Sequence, residues 1–268
     1  MLGAIPIDSV WLLTVFLLSL RLTAVFTMTP LLAAASVPPA VRVLLVLGLA
    51  AALSLGLPAA APTRAAGVRL DAPGALLAAG FTELALGATL SLGVLVAFAA
   101  FNVAGRLLDV QIGFGLGQVI DPASNASQPV LTSAFSQLSV LVFFLVDGHH
   151  ALLRGVAYSL ERFPLGRPWP VEAALAPLVK QVGGLLGLGF ALAAPVAFSL
   201  LLLEMALGVI ARNLPQVNML VMGIPAKIVV GLLALSLWFG GVGDVMSRVY
   251  GGLYRTWDAL LADDGGAR

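Results

Sequence analysis

Long apolar stretches, separated by short segments rich in proline, glycine or charge, follow one another along the chain. A helix that crosses a bilayer needs about 20 predominantly apolar residues, and most of these stretches are about that long. The pattern therefore predicts an all-α integral membrane protein built of helical hairpins that are broken at proline and glycine. The six stretches are residues 10–32, 41–61, 75–101, 130–146, 178–211 and 219–239.

The segments between these stretches predict where the helices end. Breaks are expected at residues 38–39, 58–73, 102–129 and 163–177 and at Pro215. The fifth stretch is too long for one span. Pro195 lies inside it and is expected to kink it, because proline removes a backbone donor.

Composition supports a membrane environment. The chain is 60% hydrophobic and 10% charged, with a mean hydropathy of +1.05, whereas a soluble domain is typically about 25% charged. The absence of cysteine excludes disulfides and thiolate metal sites. A net charge of +1 gives no electrostatic case for nucleic acid. A single membrane domain is predicted over residues 1–268, with an amphipathic, polar tail at residues 244–268.

If all six stretches span the membrane, the arginines fall unevenly on its two sides. Arg42, Arg106 and Arg212 lie on one side, and most of the others lie on the side of the two termini. Because lysine and arginine accumulate on the cytoplasmic side of membrane proteins, both termini are predicted to be cytoplasmic.

Charged residues occur within the apolar stretches, at Arg21, Glu83, Glu204 and Lys227, and Arg212 follows the fifth stretch directly. A charge at the middle of a bilayer costs about 2.5–3.5 kcal/mol, so these side chains should face protein rather than lipid. One interpretation is a path for protons or substrate, and the other is a set of buried contacts in a many-helix assembly. The second is favoured, because no further carboxylate or histidine lies nearby in the sequence to continue a relay.

One five-residue pattern occurs twice, as Glu83-Leu-Ala-Leu-Gly87 and as Glu204-Met-Ala-Leu-Gly208. Residues four apart share a helix face. The glycine would let the backbone of a neighbouring helix approach, and the glutamate would accept a hydrogen bond there. The alternative is chance repetition in a chain rich in alanine and leucine.

The segment between the third and fourth stretches is unusual, because Gly113, Gly115 and Gly117 alternate with Phe114 and Leu116. Glycine weakens a helix by about 1 kcal/mol relative to alanine, so the preceding helix should end before this segment. Large apolar side chains on a flexible backbone suit an element that fills a space and later moves aside. The alternative is a buried connection between two helices.

Three motifs that suggest chemistry lack the residues that the chemistry needs. The glycine-rich residues 183–189 depart from the dinucleotide-binding pattern and follow no strand. His149 and His150 are expected to point in different directions on a helix, so no metal site is predicted. Residues 241–244 resemble the Gly-x-Gly-Asp motif of intramembrane aspartyl proteases, but no second carboxylate is placed to share a proton with Asp244. No catalytic residue and no cofactor is predicted.

Two segments resemble a known family. Residues 204–227 carry Glu-x-x-Leu-Gly, Arg-x-x-Pro-Gln-x-Asn and Gly-x-Pro-x-Lys in that order, and residues 83–150 carry Glu-x-x-Leu-Gly, Asp-x-Gln-Ile-Gly, Asp-Pro and Asp-Gly-His-His. Their order and spacing resemble the flagellar biosynthetic protein FliR family, which has a virulence relative in the SctT family. Gly115 and Ala226 depart from it, because the family often has serine and leucine at these positions.

The resemblance implies a core subunit of the export gate of the bacterial flagellar type III secretion system, and not an enzyme. Members of the family assemble with FliP-like and FliQ-like membrane proteins, next to the FlhB-like switch protein, into a closed conduit for unfolded flagellar subunits. This implies a location in the bacterial inner membrane, within the flagellar basal body. It also implies that several apolar segments pack on partner subunits as hairpins rather than spanning independently.

The resemblance also assigns roles to residues. It implies a gate that plugs the conduit at residues 110–120. The turn-forming residues at 212–216 themselves predict a hairpin between the last two apolar stretches, broken at residues 213–218. The gate residues are Gln111, Ile112, Gly113, Phe114, Gly115, Leu116 and Gly117. The turn residues are Pro215, Gln216 and Asn218.

Three alternatives remain. The equivalent subunit of a virulence secretion system is one, although the Asp-Gly-His-His element at residues 147–150 favours the flagellar branch. A secondary transporter with helices broken at Pro195 and Pro225 is the second. An intramembrane protease that uses Asp244 is the third.

Overall fold

The computed structural model describes residues 9–29, 37–56, 72–114, 129–167, 169, 171–214 and 218–240. All regular structure within these ranges is helical, which confirms the predicted all-α class. The helices are α1 (Ser9–Met28), α2 (Pro39–Gly56), α3 (Pro73–Ile112), α4 (Val130–Leu145), α5 (Gly148–Arg162), α6 (Val171–Asn213) and α7 (Met219–Phe239).

Proline marks the start of two helices, each two residues before the apolar stretch identified in the sequence. Pro39 is the first residue of α2 and Pro73 is the first residue of α3. The first helical position suits proline, because the backbone N–H at this position has no partner within the helix. The predicted break at residues 38–39 coincides with the start of α2, and α2 ends before residue 58 while α3 begins at Pro73. Residues 57–71 lie outside the described residues.

The predicted break at residues 102–129 begins too early, because α3 continues to Ile112. Its polar residues do not end the helix, since they find partners on α4. The Ser136 hydroxyl donates to Oδ1 of Asn102 (2.8 Å), and the Asn102 amide donates to the carbonyl of Phe98 (3.2 Å). A polar side chain that has a partner within the fold does not require a loop.

The break predicted at residues 163–177 is too long. Helix α6 begins at Val171 and runs to Asn213 as one helix of 43 residues that includes Pro177 and Pro195. The expected kink at Pro195 stays a prediction.

Fewer helices than the six apolar stretches are able to span a bilayer within the described residues. Among the described residues, α1, α3, residues 178–213 of α6 and residues 221–239 of α7 are long and apolar enough. Helices α4 and α5, which meet at a bend of 68°, would together make a fifth. Within the described residues, α2 is a shorter apolar helix, so the condition of six spans is not met there. The orientation inferred from the arginines depended on six spans and stays a prediction.

The fold divides into two compact units. The first contains α1, α2, α5, the part of α3 up to Leu95 and the part of α6 up to Gln181. The second contains the remainder of α3, α4, the remainder of α6 and α7. In the first unit, α1 buries Leu17, Leu18 and Leu22 completely. In the second unit, the rings of Phe98 and Phe143 pack with their centroids 5.7 Å apart.

Candidate functional site

The first unit is built around a buried ion pair between α1 and α3. Arg21 and Glu83 are both 0% exposed, and Nε of Arg21 donates to Oε2 of Glu83 over 2.6 Å. The other two guanidinium nitrogens donate to the Ser159 hydroxyl of α5 (2.9 Å) and to the carbonyl of Phe163 (3.0 Å). One side chain therefore joins three helices.

The segment after α5 completes the pair. The backbone N–H of Gly166 donates to Oε1 of Glu83 (3.0 Å), so both carboxylate oxygens accept a hydrogen bond. Gly166 has a φ of 76°, which glycine adopts without the steric cost of a side chain. Two opposite charges can be held away from solvent when their remaining polar atoms are also hydrogen-bonded. The predicted pairing of Glu83 is thus met within this chain.

Gly87 lets α1 and α3 come together beside this pair. A Cβ atom at Gly87 would lie 2.8 Å from Cβ of Ala24 and closer still to the backbone carbonyl of Arg21. The backbone of α1 therefore rests directly on α3, one helical turn from Glu83. This is the arrangement that the first copy of the Glu-x-x-Leu-Gly pattern predicts.

The second copy of the pattern lies in the second unit and is open. Nζ of Lys227 on α7 donates to Oε1 of Glu204 on α6 over 2.5 Å, but the side chains are 27% and 46% exposed. A Cβ atom at Gly208 would have no atom within 4 Å. Arg212 is exposed as well. Glu204, Lys227 and Arg212 are therefore not buried by this chain alone.

Helices α6 and α7 end and begin on either side of the predicted break at Pro215. Helix α6 ends at Asn213 and α7 begins at Met219. The carbonyl of Asn218 accepts hydrogen bonds from the N–H groups of Val221 (3.1 Å) and Met222 (3.2 Å), which places Asn218 at the start of α7. Pro225 lies inside α7, near its beginning. Pro215 and Gln216 lie outside the described residues.

The residues predicted to form the gate divide into two groups. Gln111 and Ile112 belong to the last turn of α3, so the prediction that they lie in a loop is wrong. Ile112 is buried, and a Cβ atom added to Gly231 of α7 would lie 2.6 Å from its Cγ1. The loop starts at Gly113, whose φ of 103° requires glycine. Phe114 is half-buried, and Gly115, Leu116 and Gly117 lie outside the described residues.

Asp109 is a residue whose structural role sequence reasoning missed. It is 1% exposed. Its Oδ1 accepts from the N–H of Leu131 (2.9 Å), and its Oδ2 accepts from the N–H (2.8 Å) and the hydroxyl (2.7 Å) of Thr132. The first N–H groups of a helix have no partner within it, so Asp109 of α3 caps the start of α4 from outside. Its place in the Asp-x-Gln-Ile-Gly element was the only signal in the sequence.

Helices α3 and α4 also touch at Gly105. A Cβ atom there would lie 2.6 Å from Cα of Thr132. The close approach brings the Asp109 carboxylate within reach of the α4 backbone. Together, Gly105 and Asp109 hold the end of α3 against the start of α4.

The two histidines do not diverge as predicted. The rings of His149 and His150 lie with their centroids 4.1 Å apart. They belong to the first turn of α5, just after Asp147, which has a left-handed φ of 54°. Neighbouring imidazoles are long enough to lean towards each other, so a 100° step along a helix does not separate their nitrogens.

The Gly-x-Gly-Asp motif at residues 241–244 lies outside the described residues.

These observations define an all-α integral membrane protein whose buried charges and glycines join its helices. Residues 12–253 match the family described as bacterial export proteins, family 1. The chain belongs to this family, that of the flagellar biosynthetic protein FliR and its secretion-system relatives. The resemblance found in the sequence is thus confirmed.

Individual relatives agree with the family. The flagellar biosynthetic protein FliR of Bacillus subtilis (strain 168) is 32% identical over 185 residues, which cover 68% of this chain and 71% of that protein. The protein of the same name from Escherichia coli (strain K12) is 29% identical over 255 residues, or 94% of this chain and 93% of that protein. The surface presentation of antigens protein SpaR of Shigella flexneri is 30% identical over 159 residues, or 59% of this chain and 60% of that protein.

Proposed function

We propose that this chain is a core subunit of the flagellar type III secretion export gate, in the bacterial inner membrane within the flagellar basal body. In this role it combines with FliP-like and FliQ-like membrane subunits, next to the FlhB-like switch protein, to form a closed conduit for unfolded flagellar subunits. The family match across residues 12–253 carries the proposal. In this role the chain helps to form, seal and open a passage for other proteins, and it catalyses no reaction.

The exposed surfaces of α6 and α7 support a role in an assembly. Within the apolar segments of these helices, 28% and 22% of residues are buried, compared with 61% in α3. Gly183, Gly184, Gly187 and Gly208 on α6 have open space where a Cβ atom would be. Small residues on an apolar helix let a second helix approach closely in a membrane. We therefore assign these surfaces to partner subunits.

The two copies of the Glu-x-x-Leu-Gly pattern suggest how a partner would bind. At the first copy, α1 rests on Gly87 and its Arg21 reaches Glu83. At the second copy, Gly208 is open and Glu204 is partly exposed with one hydrogen-bonded partner, Lys227. A partner helix that packs on Gly208 would exclude solvent from the Glu204–Lys227 pair. A partly exposed pair would then become a buried one, as the sequence predicts for the assembly.

We further propose that the segment starting at Gly113 closes the conduit at rest. A bacterial membrane at rest cannot tolerate an open pore as wide as a polypeptide, and hydrophobic constrictions exclude water and ions. Phe114 and Leu116 would fill such a constriction, and the three glycines would allow the backbone to move aside. Gln111 and Ile112 are helical and take no part in this movement.

The contacts of Asp109 support this assignment. Asp109 lies on the last turns of α3, four residues before Gly113, and its carboxylate holds the first N–H groups of α4. The helices on either side of the segment are thereby fixed to each other. A segment fixed at both ends can move in its middle without disturbing the helices that carry it.

Co-purification tests the proposal. The chain is expressed with the FliP-like and FliQ-like subunits of the same bacterium, and a tag on the FliP-like subunit is used for purification in mild detergent. The chain is expected to co-purify in a fixed ratio, and to aggregate when it is expressed alone. The proposal would be contradicted if the chain stays monodisperse when it is expressed alone and, when co-expressed, separates from the tagged FliP-like subunit during purification. Binding of a small solute by that monomer would support a secondary transporter instead.

Complementation decides between the two branches of the family. The chain is expressed in the same bacterium after deletion of its own gene, and swimming motility is measured. Restored motility is expected for a flagellar subunit. Normal motility in the deletion strain itself would assign the chain to a different secretion system.

A further inference from the structure

Asp147, His149 and His150 bring three metal-ligating side chains together at the bend between α4 and α5. One ligand atom from each, a carboxylate oxygen and two imidazole nitrogens, lies within 4.8 Å of the other two. Among the described residues, this is the one group of three histidine or carboxylate side chains whose ligand atoms lie this close together. We propose that these three residues bind a divalent transition metal ion of the Zn²⁺ class.

The chemistry of the ligands selects this class of ion. Imidazole nitrogen suits zinc, copper and nickel, whereas magnesium and calcium prefer sites made of oxygen. Zinc is bound by histidine and carboxylate ligands at about 2.0–2.2 Å, and sites with three protein ligands keep the fourth position for water or another group. Two nitrogens and one oxygen meet this requirement.

The side chain of Asp147 is placed for this use. Asp147 occupies the position before α5 where an aspartate usually accepts hydrogen bonds from the helix backbone, but its carboxylate makes no such bond. Instead, its Oδ1 lies 3.3 Å from Nδ1 of His150. Asp147 has a left-handed backbone with a φ of 54°, and its carboxylate contacts His150 in place of the helix backbone.

Closing the ligands around an ion requires small movements. Tetrahedral zinc ligands lie about 3.4 Å apart, so the atoms that are now up to 4.8 Å apart must approach one another. The side chains of His150 and Asp147 are 63% and 74% exposed and can rotate without disturbing the core. The partial positive charge at the start of α5 opposes a cation, while the carboxylate attracts it. We therefore expect weaker binding than at a structural zinc site with four protein ligands.

A bound ion would link the end of the turn to the first turn of α5. Asp147 precedes the helix and the two histidines belong to it, so coordination fixes the backbone at the start of α5. The geometry of the site is local to residues 147–150 and does not depend on the export role, but its test uses the assembled complex and in that respect rests on the proposed function. A chain that stays monodisperse alone would be titrated by itself.

Zinc titration of the assembled complex tests the site. The complex is purified through a tag without histidine, treated with a chelator, and titrated with ZnCl₂ in competition with a chromophoric chelator. The chain contains no other histidine and no cysteine, so the His149→Ala/His150→Ala variant removes all of its imidazoles. We expect the wild-type complex to bind one more Zn²⁺ per copy of this chain than the complex with the double variant. Equal zinc in the two complexes would overturn the proposal.

Single substitutions separate coordination from folding. Asp147→Asn and His150→Gln are close in size to the originals and should lose the ion, whereas His150→Cys supplies another zinc ligand and should keep it. Glu161→Gln removes an exposed carboxylate from the far end of α5 and should bind zinc like the wild type. Retention of zinc by both Asp147→Asn and His150→Gln would show that these residues are not the ligands.

Discussion

Arg21 and Glu83 form an ion pair, with 2.6 Å between Nε and Oε2, in which neither side chain is exposed to solvent. Ser159, the carbonyl of Phe163 and the N–H of Gly166 bind the remaining polar atoms of the pair. Removing one partner of a buried pair leaves an uncompensated charge, whereas replacing both with apolar residues is often neutral or stabilising. The pair therefore sets the packing of α1, α3 and α5 more than it adds net stability.

The first prediction concerns this pair. Glu83→Ala should destabilise the chain by about 3–5 kcal/mol, because it leaves Arg21 charged and buried. The double variant Arg21→Met/Glu83→Leu should recover most of that loss. The measurement is the midpoint of denaturant-induced unfolding of the purified gate complex in detergent, with Glu161→Gln on the surface of α5 as control. An unchanged midpoint for Glu83→Ala would show that the pair is not a buried contact.

The second prediction compares two glycines in the same sequence pattern. Gly87→Leu should prevent folding, because a side chain at this position would collide with the backbone of α1. Gly208→Leu should leave the chain folded, since the space around it is open, but it should abolish co-purification with partner subunits. Protein yield in the membrane measures the first effect and pull-down measures the second. Normal recovery of partners with Gly208→Leu would remove this glycine from the proposed interface.

The third prediction concerns Glu204. If a partner buries the Glu204–Lys227 pair, Glu204→Ala leaves the lysine unpaired in the assembly and should reduce recovery of the complex strongly. Glu204→Gln keeps the size of the side chain and one oxygen that accepts a hydrogen bond from Lys227, so more complex should be recovered than with Glu204→Ala. Recovery is scored against the chain carrying Glu161→Gln. Normal assembly and export with both Glu204 variants would exclude a structural contact at this position.

The fourth prediction concerns Asp109. Asp109→Ala removes three hydrogen bonds from the start of α4, and the loss of a helix cap alone costs about 0.5–2 kcal/mol. Asp109→Asn should cost less, because its amide oxygen still accepts from one or two of these donors. Unfolding midpoints of the purified gate complex in detergent measure both variants, with Arg106→Ala at an exposed site of α3 as control. A midpoint for Asp109→Ala equal to that of the control would show that the cap adds no stability.

Much of the fold could be predicted from the sequence because helix length and proline placement are local features. The boundaries at Pro39, Pro73 and Met219 required no knowledge of distant residues. The extension of α3 to Ile112 could not be predicted in this way. Its polar residues suggested a loop, and their partners on α4 lie 22 and more residues further along the chain.

In the candidate site, too, local features could be predicted from the sequence and contacts between distant residues could not. The pattern of charge identified Arg21 and Glu83 as buried, but not as partners of each other across 62 residues. The two copies of Glu-x-x-Leu-Gly are nearly identical in sequence, yet only the tertiary structure reveals that Gly87 is covered and Gly208 is open. The approach of His149 to His150 depends on side-chain rotation at a helix start, which helical periodicity does not describe.

The fifth prediction concerns the segment that begins at Gly113. Replacing Gly113, Gly115 and Gly117 with valine should slow export without opening the conduit, because branched side chains restrict the backbone. Deletion of residues 113–117 should instead leave the gate complex assembled, since Asp109 and Gly105 still hold α3 against α4, but should remove the apolar closure.

The conductance of the reconstituted export-gate complex in a planar bilayer tests the central claim most directly. The complex with the wild-type chain should be closed to ions, and the complex with residues 113–117 deleted should conduct. Both preparations must contain the same subunits in the same ratio, so that leakage cannot be attributed to faulty assembly. A fully assembled deletion complex that stays as impermeable as the wild type would contradict the claim and leave the segment as a buried connection between α3 and α4.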